Sequence, residues 1–239
     1  ERPVNAIRNI PPSPLEKKMI SLLPFSLTTD QVKACNEIRS DLSRPTPMNR
    51  LLQGDVGSGK TLVALLSSLY VIQNGGQVAL MAPTELLARQ HAENAYALLS
   101  PLGVRISFIT GDVKGKNRQL LLSHLKNGEI DLAIGTHALF SNDVNFKNLK
   151  YVIIDEFQDI SKNRLEIIKY LSKYKANIIA CGDDWQAIFG FAGSDVNLFI
   201  NFPKIIKNCE ILKITNTYRN SKQLIDISGN FIMKNNHQL

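Results

Sequence analysis

Residues 51–66 read LLQGDVGSGKTLVALL, and within them Gly54, Gly59, Lys60 and Thr61 fit the spacing G-x-x-x-x-G-K-[ST]. No other stretch limits the fold so tightly. At average residue usage the pattern arises by chance in roughly one chain in a hundred of this length, before its flanks are considered. Here an apolar segment ends at Leu52 and an almost wholly apolar run of helical length follows from Leu62 to Ile72, so the glycines sit at a strand-to-helix turn. A flexible Gly-Ser turn accounts for Gly57, Ser58 and Gly59 but leaves Lys60 and Thr61 in register unexplained. The functional reading accounts for all of them: backbone N–H groups cradle phosphates, Lys60 reaches the β- and γ-phosphates, and the Thr61 hydroxyl holds Mg²⁺.

A metal held by Thr61 needs an anionic partner at the end of a neighbouring buried strand. Residues 151–160, YVIIDEFQDI, supply one: four apolar residues run into Asp155 and Glu156. An apolar strand meeting a solvated acidic turn is the commoner fate of such a run. In a chain that also carries the phosphate loop, Asp155 is the expected metal ligand and Glu156 the group that orients and deprotonates an attacking water.

Extended apolar runs alternate with helical ones along the chain. Residues 77–83, 104–110, 131–136, 151–156 and 176–183 are expected strands, with helices over 84–99, 116–128 and 163–174. Strands apolar on both faces, alternating with helices, predict an α/β fold with a parallel sheet flanked by helices on both sides. Ligands in such sheets gather at the carboxyl ends of the strands. Thr84, Thr110, Thr136, Asp155, Asp183 and the phosphate loop all fall there. The Pro-rich opening, residues 1–22, reads as a linker or the tail of a preceding domain, and the start at Glu1 rather than Met suits a fragment.

Composition sets wider bounds. The 239 residues, 44% hydrophobic, suffice for a sizeable core, and 28 Lys+Arg against 21 Asp+Glu leave a net charge of +7 that favours polyanionic partners. Most of those cations are expected on a solvated face. Cys35, Cys181 and Cys209 form no CxxC pair, which argues against a disulfide framework or a zinc site and for a reducing cytoplasmic setting. No apolar run approaches membrane-span length, so no membrane partner is expected. His91 and His137 have no acidic or cysteine company at ligand spacing and are read as structural.

Two resemblances extend this reading. From about Leu23 to Glu156 the segments LPFSLTTDQ, LLQGDVGSGKT, VALMAPTELLARQH, ITGDVKGK, IGTHALF and VIIDE resemble the first motor domain of the RecG family of superfamily 2 DNA helicases. After Glu156, DEFQDI, CGDDWQAIFGFAGSD, TNTYRNSKQLIDISGNFI and NNHQL resemble the superfamily 1 UvrD/Rep group, most of all its helicase IV branch. The chain thus resembles a mosaic whose halves share a RecA-like P-loop NTPase sheet. The implied domains are a RecA-like ATP-binding unit over 23–204 and the incomplete beginning of a second RecA-like domain over 205–239.

The resemblances also imply roles. Gln31 matches the adenine-reading glutamine, Gln186 the residue that senses the γ-phosphate, and Arg219 the arginine that reaches that phosphate from across a domain cleft. Pro83 and Thr84 match a segment touching single-strand phosphates, and Thr110 and Thr136 fall in the other strand-end motifs. Phe189 and Phe191 match aromatics that stack on bases, core packing being the simpler alternative and a stronger one for Phe189 than for Phe191. Ala192 stands where many such proteins have Arg. The expected function is an ATP-binding and hydrolysing motor of a DNA helicase or translocase, using ATP and Mg²⁺ on single-stranded or branched DNA. Two alternatives stay open: a nucleotide-dependent DNA-binding fragment without turnover, and a non-functional fusion of two helicase gene pieces.

Overall fold

The computed structural model describes residues 10–111, 113–173, 175–217 and 221–234. Its centre is a seven-stranded sheet in the order β3-β4-β2-β5-β6-β1-β7. The strands are β1 (Asn49–Gly54), β2 (Gln77–Met81), β3 (Ile106–Ile109), β4 (Leu132–Gly135), β5 (Leu149–Ile154), β6 (Asn177–Gly182) and β7 (Cys209–Ile214). Every neighbouring pair runs parallel. Each expected strand is present, one to a few residues shorter or longer than the apolar run that announced it.

Alternation along the strands builds two cores. Leu52, Val78, Leu80, Tyr151, Ile153, Ile179 and Cys181 pack on one face, and Leu51, Ala79, Met81, Val152, Ile154, Ile178 and Ala180 on the other. Side chains of α2 (Thr29–Leu42), α3 (Lys60–Gln73) and α4 (Glu85–Leu99) cover the first face. The second is covered by Leu125 of α5 (Gly115–Asn127), by Leu165, Ile168 and Leu171 of α6 (Lys162–Lys173), and by Phe199 and Phe202 of the short α7 (Val196–Ile200) and α8 (Phe202–Ile205). Because β2, β4, β5 and β6 lie inside the sheet, both of their faces are dry, which explains sequence runs without polar alternation.

Three segments depart from the sequence-based expectation. Residues read as linker form α1 (Pro14–Leu22), started by a capping box in which the Ser13 and Glu16 side chains each accept from the other's backbone N–H. Met19 of this helix enters the first core at 1% exposure, and the Glu16 carboxylate meets the buried Arg39 guanidinium of α2 at 3.1 Å. The prolines that suggested a linker sit at the helix start, where proline is tolerated. Second, β7 lies beyond the expected boundary at residue 204 yet is the edge strand of this same sheet, paired with β1 from Asn49↔Cys209 to Gly54↔Ile214. Arg50 of β1 helps hold it there, reaching Asp41 and Glu37 of α2 and Glu210 of β7. Third, α9 (Lys222–Ile232) buries no residue and exposes Leu224, Ile227 and Phe231.

Candidate functional site

Sheet order decides which loops can meet. The carboxyl ends of β5, β6 and β1 are neighbours, so the turns after Ile154, Gly182 and Gly54 converge, while the turns after β3, β4 and β2 line the other half of the same edge. The first group carries Asp155, Glu156, Gln186 and the phosphate loop. The second carries Thr110, Thr136, Pro83 and Thr84.

The loop between β1 and α3 folds back on its own lysine. Lys60, 8% exposed, donates from Nζ to the carbonyl oxygens of Gly54 at 2.5 Å and Asp55 at 3.1 Å. Its ammonium therefore sits in the bowl of the turn, where a phosphate would meet it. Gly59 has φ +86°, and a Cβ there would stand 2.4 Å from Gln31 Nε2. That close approach explains why the position is glycine: the conformation and the neighbour both exclude a side chain. Gln31, buried at the start of α2, accepts at Oε1 from Thr28 N (3.0 Å) and donates from Nε2 to Ser58 O (2.8 Å). The amide keeps one donor and one acceptor site beyond these bonds.

Thr61 Oγ1 donates to Asp155 Oδ2 at 3.2 Å, joining residues 94 positions apart in sequence. His91 of α4 brings Nε2 within 2.8 Å of the same oxygen. Burial pushes the Asp155 carboxyl upward, but the His91 contact and the positive charges of His91 and Lys60 outweigh it and hold the group below the ordinary aspartate value. Asp155 is thus an anion fixed beside a hydroxyl. A hard divalent cation fits this donor set, since magnesium is commonly held by one or two side-chain oxygens with phosphate and water oxygens completing its shell. Among the described residues no cluster of three or more His, Cys, Asp or Glu could hold a metal unaided.

Glu156 adopts a left-handed backbone conformation, φ 49°. Its Oε2 accepts from Gln158 Nε2 at 2.6 Å, and Gln158 Oε1 accepts in turn from Asp183 N at 3.1 Å. Gln158 so bridges the turns after β5 and β6. Gln186 Nε2 donates to Asp183 Oδ2 and lies 3.4 Å from Asp55 Oδ1 in the phosphate loop. Burial raises the Asp183 carboxyl above its ordinary value, only partly opposed by the Gln186 and Trp185 N–H donors. A second link, Gln53 Nε2 to Asp184 Oδ1 at 2.7 Å, ties β1 to the same turn.

On the other half of the edge, Thr84 caps α4 by accepting from Leu87 N at 3.3 Å, and Pro83 precedes it. Thr136 caps the one-turn helix His137–Phe140, its Oγ1 3.5 Å from Ala138 N. Thr110 is buried, and its carbonyl accepts from Arg118, which also reaches Ser141 and Asp143 and so joins the turns after β3 and β4. Phe189, in the one-turn helix Phe189–Ala192, is 43% exposed. Phe191 belongs to the same turn. Arg219 lies outside the described residues.

Sequence reading missed His91, whose acidic partner is distant in the chain, and the role of Gln158, whose only signal was its place two residues after Glu156. It also missed Thr217, which donates from Oγ1 to Val56 O in the phosphate loop at 2.6 Å.

Residues 28–189 match the DEAD/DEAH box helicase family. The ATP-dependent DNA helicase RecG of Treponema pallidum (strain Nichols) is 59% identical over 142 residues, 59% of this chain and 21% of that protein. Its namesake from Pasteurella multocida (strain Pm70) is 51% identical over 142 residues, 59% of this chain and 20% of that protein. A structure of RecG bound to a three-way DNA junction superposes with a TM-score of 0.66 at 32% identity, covering 91% of this chain and 29% of that one. A DEAD box protein from the hyperthermophile Methanococcus jannaschii shares the fold, with a TM-score of 0.60 at 22% identity over 84% of this chain and 54% of its own. The chain spans about a fifth of the length of the curated relatives it matches.

Proposed function

From the premise that this chain belongs to the DEAD/DEAH box helicase family, we propose that it is the ATP-binding and hydrolysing motor domain of a DNA helicase or translocase of RecG type. The observation that carries this reading is the meeting of Thr61 with Asp155 beside the Lys60 bowl, at the carboxyl edge of a parallel sheet. In it, the loop N–H groups and Lys60 bind the phosphates, and Gln31 uses its remaining donor and acceptor on the adenine edge. Thr61 and Asp155 hold Mg²⁺, which when bound draws charge from the phosphate oxygens. Glu156, steadied by Gln158, orients water and takes its proton. Gln186, touching both Asp55 and Asp183, reports on the terminal phosphate.

DNA is the proposed partner of Pro83, Thr84, Thr110, Thr136, Phe189 and Phe191, with Arg118 bracing two of those turns. Phe189 has the exposure a stacking platform needs. Arg219 is proposed to contact the terminal phosphate from the segment after β7.

The domain division is proposed to fall after β7, with α9 as the first helix of a second RecA-like unit. Its exposed Leu224, Ile227 and Phe231 support that reading, since a helix with such a face normally packs against something. The superfamily 1 character of residues after Glu156 rests on DEFQDI, CGDDWQAIFGFAGSD and TNTYRN. A cytoplasmic setting is proposed from the free cysteines, of which Cys35 and Cys181 are buried. No helix among the described residues is long and apolar enough to cross a membrane.

Titration calorimetry with ATP·Mg²⁺ tests the nucleotide assignment. The chain should bind, and Lys60→Ala should abolish binding by removing the loop's cation. Equal affinity in the two proteins would refute it.

A further inference from the structure

The chain leaving β7 passes over the turn that leaves β1, because Gly54 pairs with Ile214 at the end of the two strands. Gly54 permits this approach: a Cβ there would lie 2.7 Å from the Ile214 carbonyl oxygen. Beyond Ile214 the next residues are tied down twice. Thr215 donates from N and Oγ1 to Asp30 Oδ2 at 3.1 and 2.6 Å, and Thr217 donates from Oγ1 to Val56 O at 2.6 Å. Asp30 is the neighbour of Gln31, which holds Ser58 O from the other side. Two alternate carbonyls of the phosphate loop, those of Val56 and Ser58, are therefore gripped by groups outside the loop.

Peptide planarity gives these bonds a consequence for phosphate binding. In a trans peptide the carbonyl and the following N–H point in opposite directions. Holding the Val56 carbonyl toward Thr217 turns the Gly57 N–H away from it, and holding the Ser58 carbonyl toward Gln31 does the same for the Gly59 N–H. A loop binds an anion by the number of N–H groups it keeps converged. Glycine at 57 and 59 leaves both peptides free to rotate, so the orientation has to be imposed from outside the loop.

We propose that Thr217 is a positioning residue of the phosphate loop, anchored through Thr215 and Asp30, which fixes the Val56–Gly57 peptide in its anion-binding orientation. The proposal rests on the reading of this loop as a nucleotide site. It predicts a defect confined to ligands that place a phosphate in the loop bowl. Losing one neutral hydrogen bond should weaken binding roughly fivefold.

The experiment measures affinities of ATP, ADP and AMP for the full chain by fluorescent-nucleotide competition in the wild type, Thr217→Val, Thr217→Ser, Asp30→Ala and Lys60→Ala. Thr217→Val should weaken ATP and ADP roughly fivefold and leave AMP unchanged, Thr217→Ser should restore wild-type affinity, and Asp30→Ala should shift ATP in the same direction as Thr217→Val. A Thr217→Val protein that binds ADP as the wild type does, while Lys60→Ala fails to bind, would overturn the proposal and leave the nucleotide site intact. Equal weakening of ADP and AMP, or no rescue by serine, would overturn it as well. Wild-type affinity in Lys60→Ala would instead refute the nucleotide reading itself.

Discussion

Replacing Gly59 by alanine should destabilise the fold by about 2–3 kcal/mol, and the structure separates that cost into two parts. The first is backbone strain: φ is +86° at this position, and an L-residue in the left-handed region costs about 1–2 kcal/mol relative to glycine. The second is a collision, since the new Cβ would stand 2.4 Å from Gln31 Nε2, whereas ordinary contact begins at 3.4 Å. Gln31 is a flexible side chain and can withdraw, but doing so surrenders its 2.8 Å bond to Ser58 O, worth about 1 kcal/mol. The two parts respond differently to Gln31→Ala. In that background the collision is gone and only the strain remains, so Gly59→Ala should cost about 1–2 kcal/mol. Urea unfolding of the four proteins in this double-mutant cycle measures the difference directly. An identical Gly59→Ala cost in both backgrounds would show that Gln31 does not press on this glycine in solution.

Further outcomes follow from other contacts. Glu156→Gln preserves shape and most hydrogen bonding, so ATP should bind as before while hydrolysis falls by at least about a hundredfold; unchanged turnover in a phosphate-release assay removes Glu156 from the chemistry. Phe157, fully buried with its ring 4.6 Å from that of Phe202 and 6.1 Å from that of Phe199, should cost about 3–5 kcal/mol on replacement by alanine, and a shift under 1 kcal/mol in urea unfolding would contradict that packing. The isolated 239 residues should show little or no strand displacement, because an arginine supplied across a cleft contributes about 10³–10⁵ in rate in phosphate-loop enzymes and α9 is not packed to hold one; robust ATP-dependent unwinding by a confirmed monomer would refute this.

Much of the sheet was legible because buried parallel strands advertise themselves as unbroken apolar runs, as 77–81 and 151–154 do. β7 was harder. Its sequence CEILKI alternates, with Leu212 and Ile214 buried and Glu210, Ile211 and Lys213 exposed, as an edge strand must. Nothing local says which sheet it edges, and its register with β1 is a long-range fact. α1 was missed for the opposite reason: Pro11, Pro12 and Pro14 masked a capping box that begins one residue before Pro14. In the candidate site, Lys60 and Thr61 are readable from spacing alone, since they lie within one turn of chain. Asp155 required the further premise that a strand end would be adjacent, and the 3.2 Å contact with Thr61 agrees with that premise. His91 and Thr217 had no such premise, since each acts on a residue far away in sequence through a single bond.

The packing also bears on how the parts of the chain before and after Glu156 fold as one. Residues up to Glu156 supply the whole of the first helical layer, α1 to α4, and on the second face only α5. Everything that covers the second face of β5 and β6 comes later: Phe157, Ile160, Leu165, Ile168, Leu171, Phe199 and Phe202. Glu156 therefore stands at the start of a separate packing layer. Packing across that point is extensive: Ile179 and Cys181 of β6 and Leu212 and Ile214 of β7 enter the first core beside Leu52, Leu80 and Ile153, while Val152 and Ile154 of β5 meet the later residues in the second. These are aliphatic or small side chains that accept many complementary surfaces, since cores tolerate varied apolar partners when volume is kept. Polar ties cross it as well: Gln158 bonds to Glu156 and Asp183, Gln53 to Asp184, Arg50 to Glu210, Thr215 to Asp30 and Thr217 to Val56.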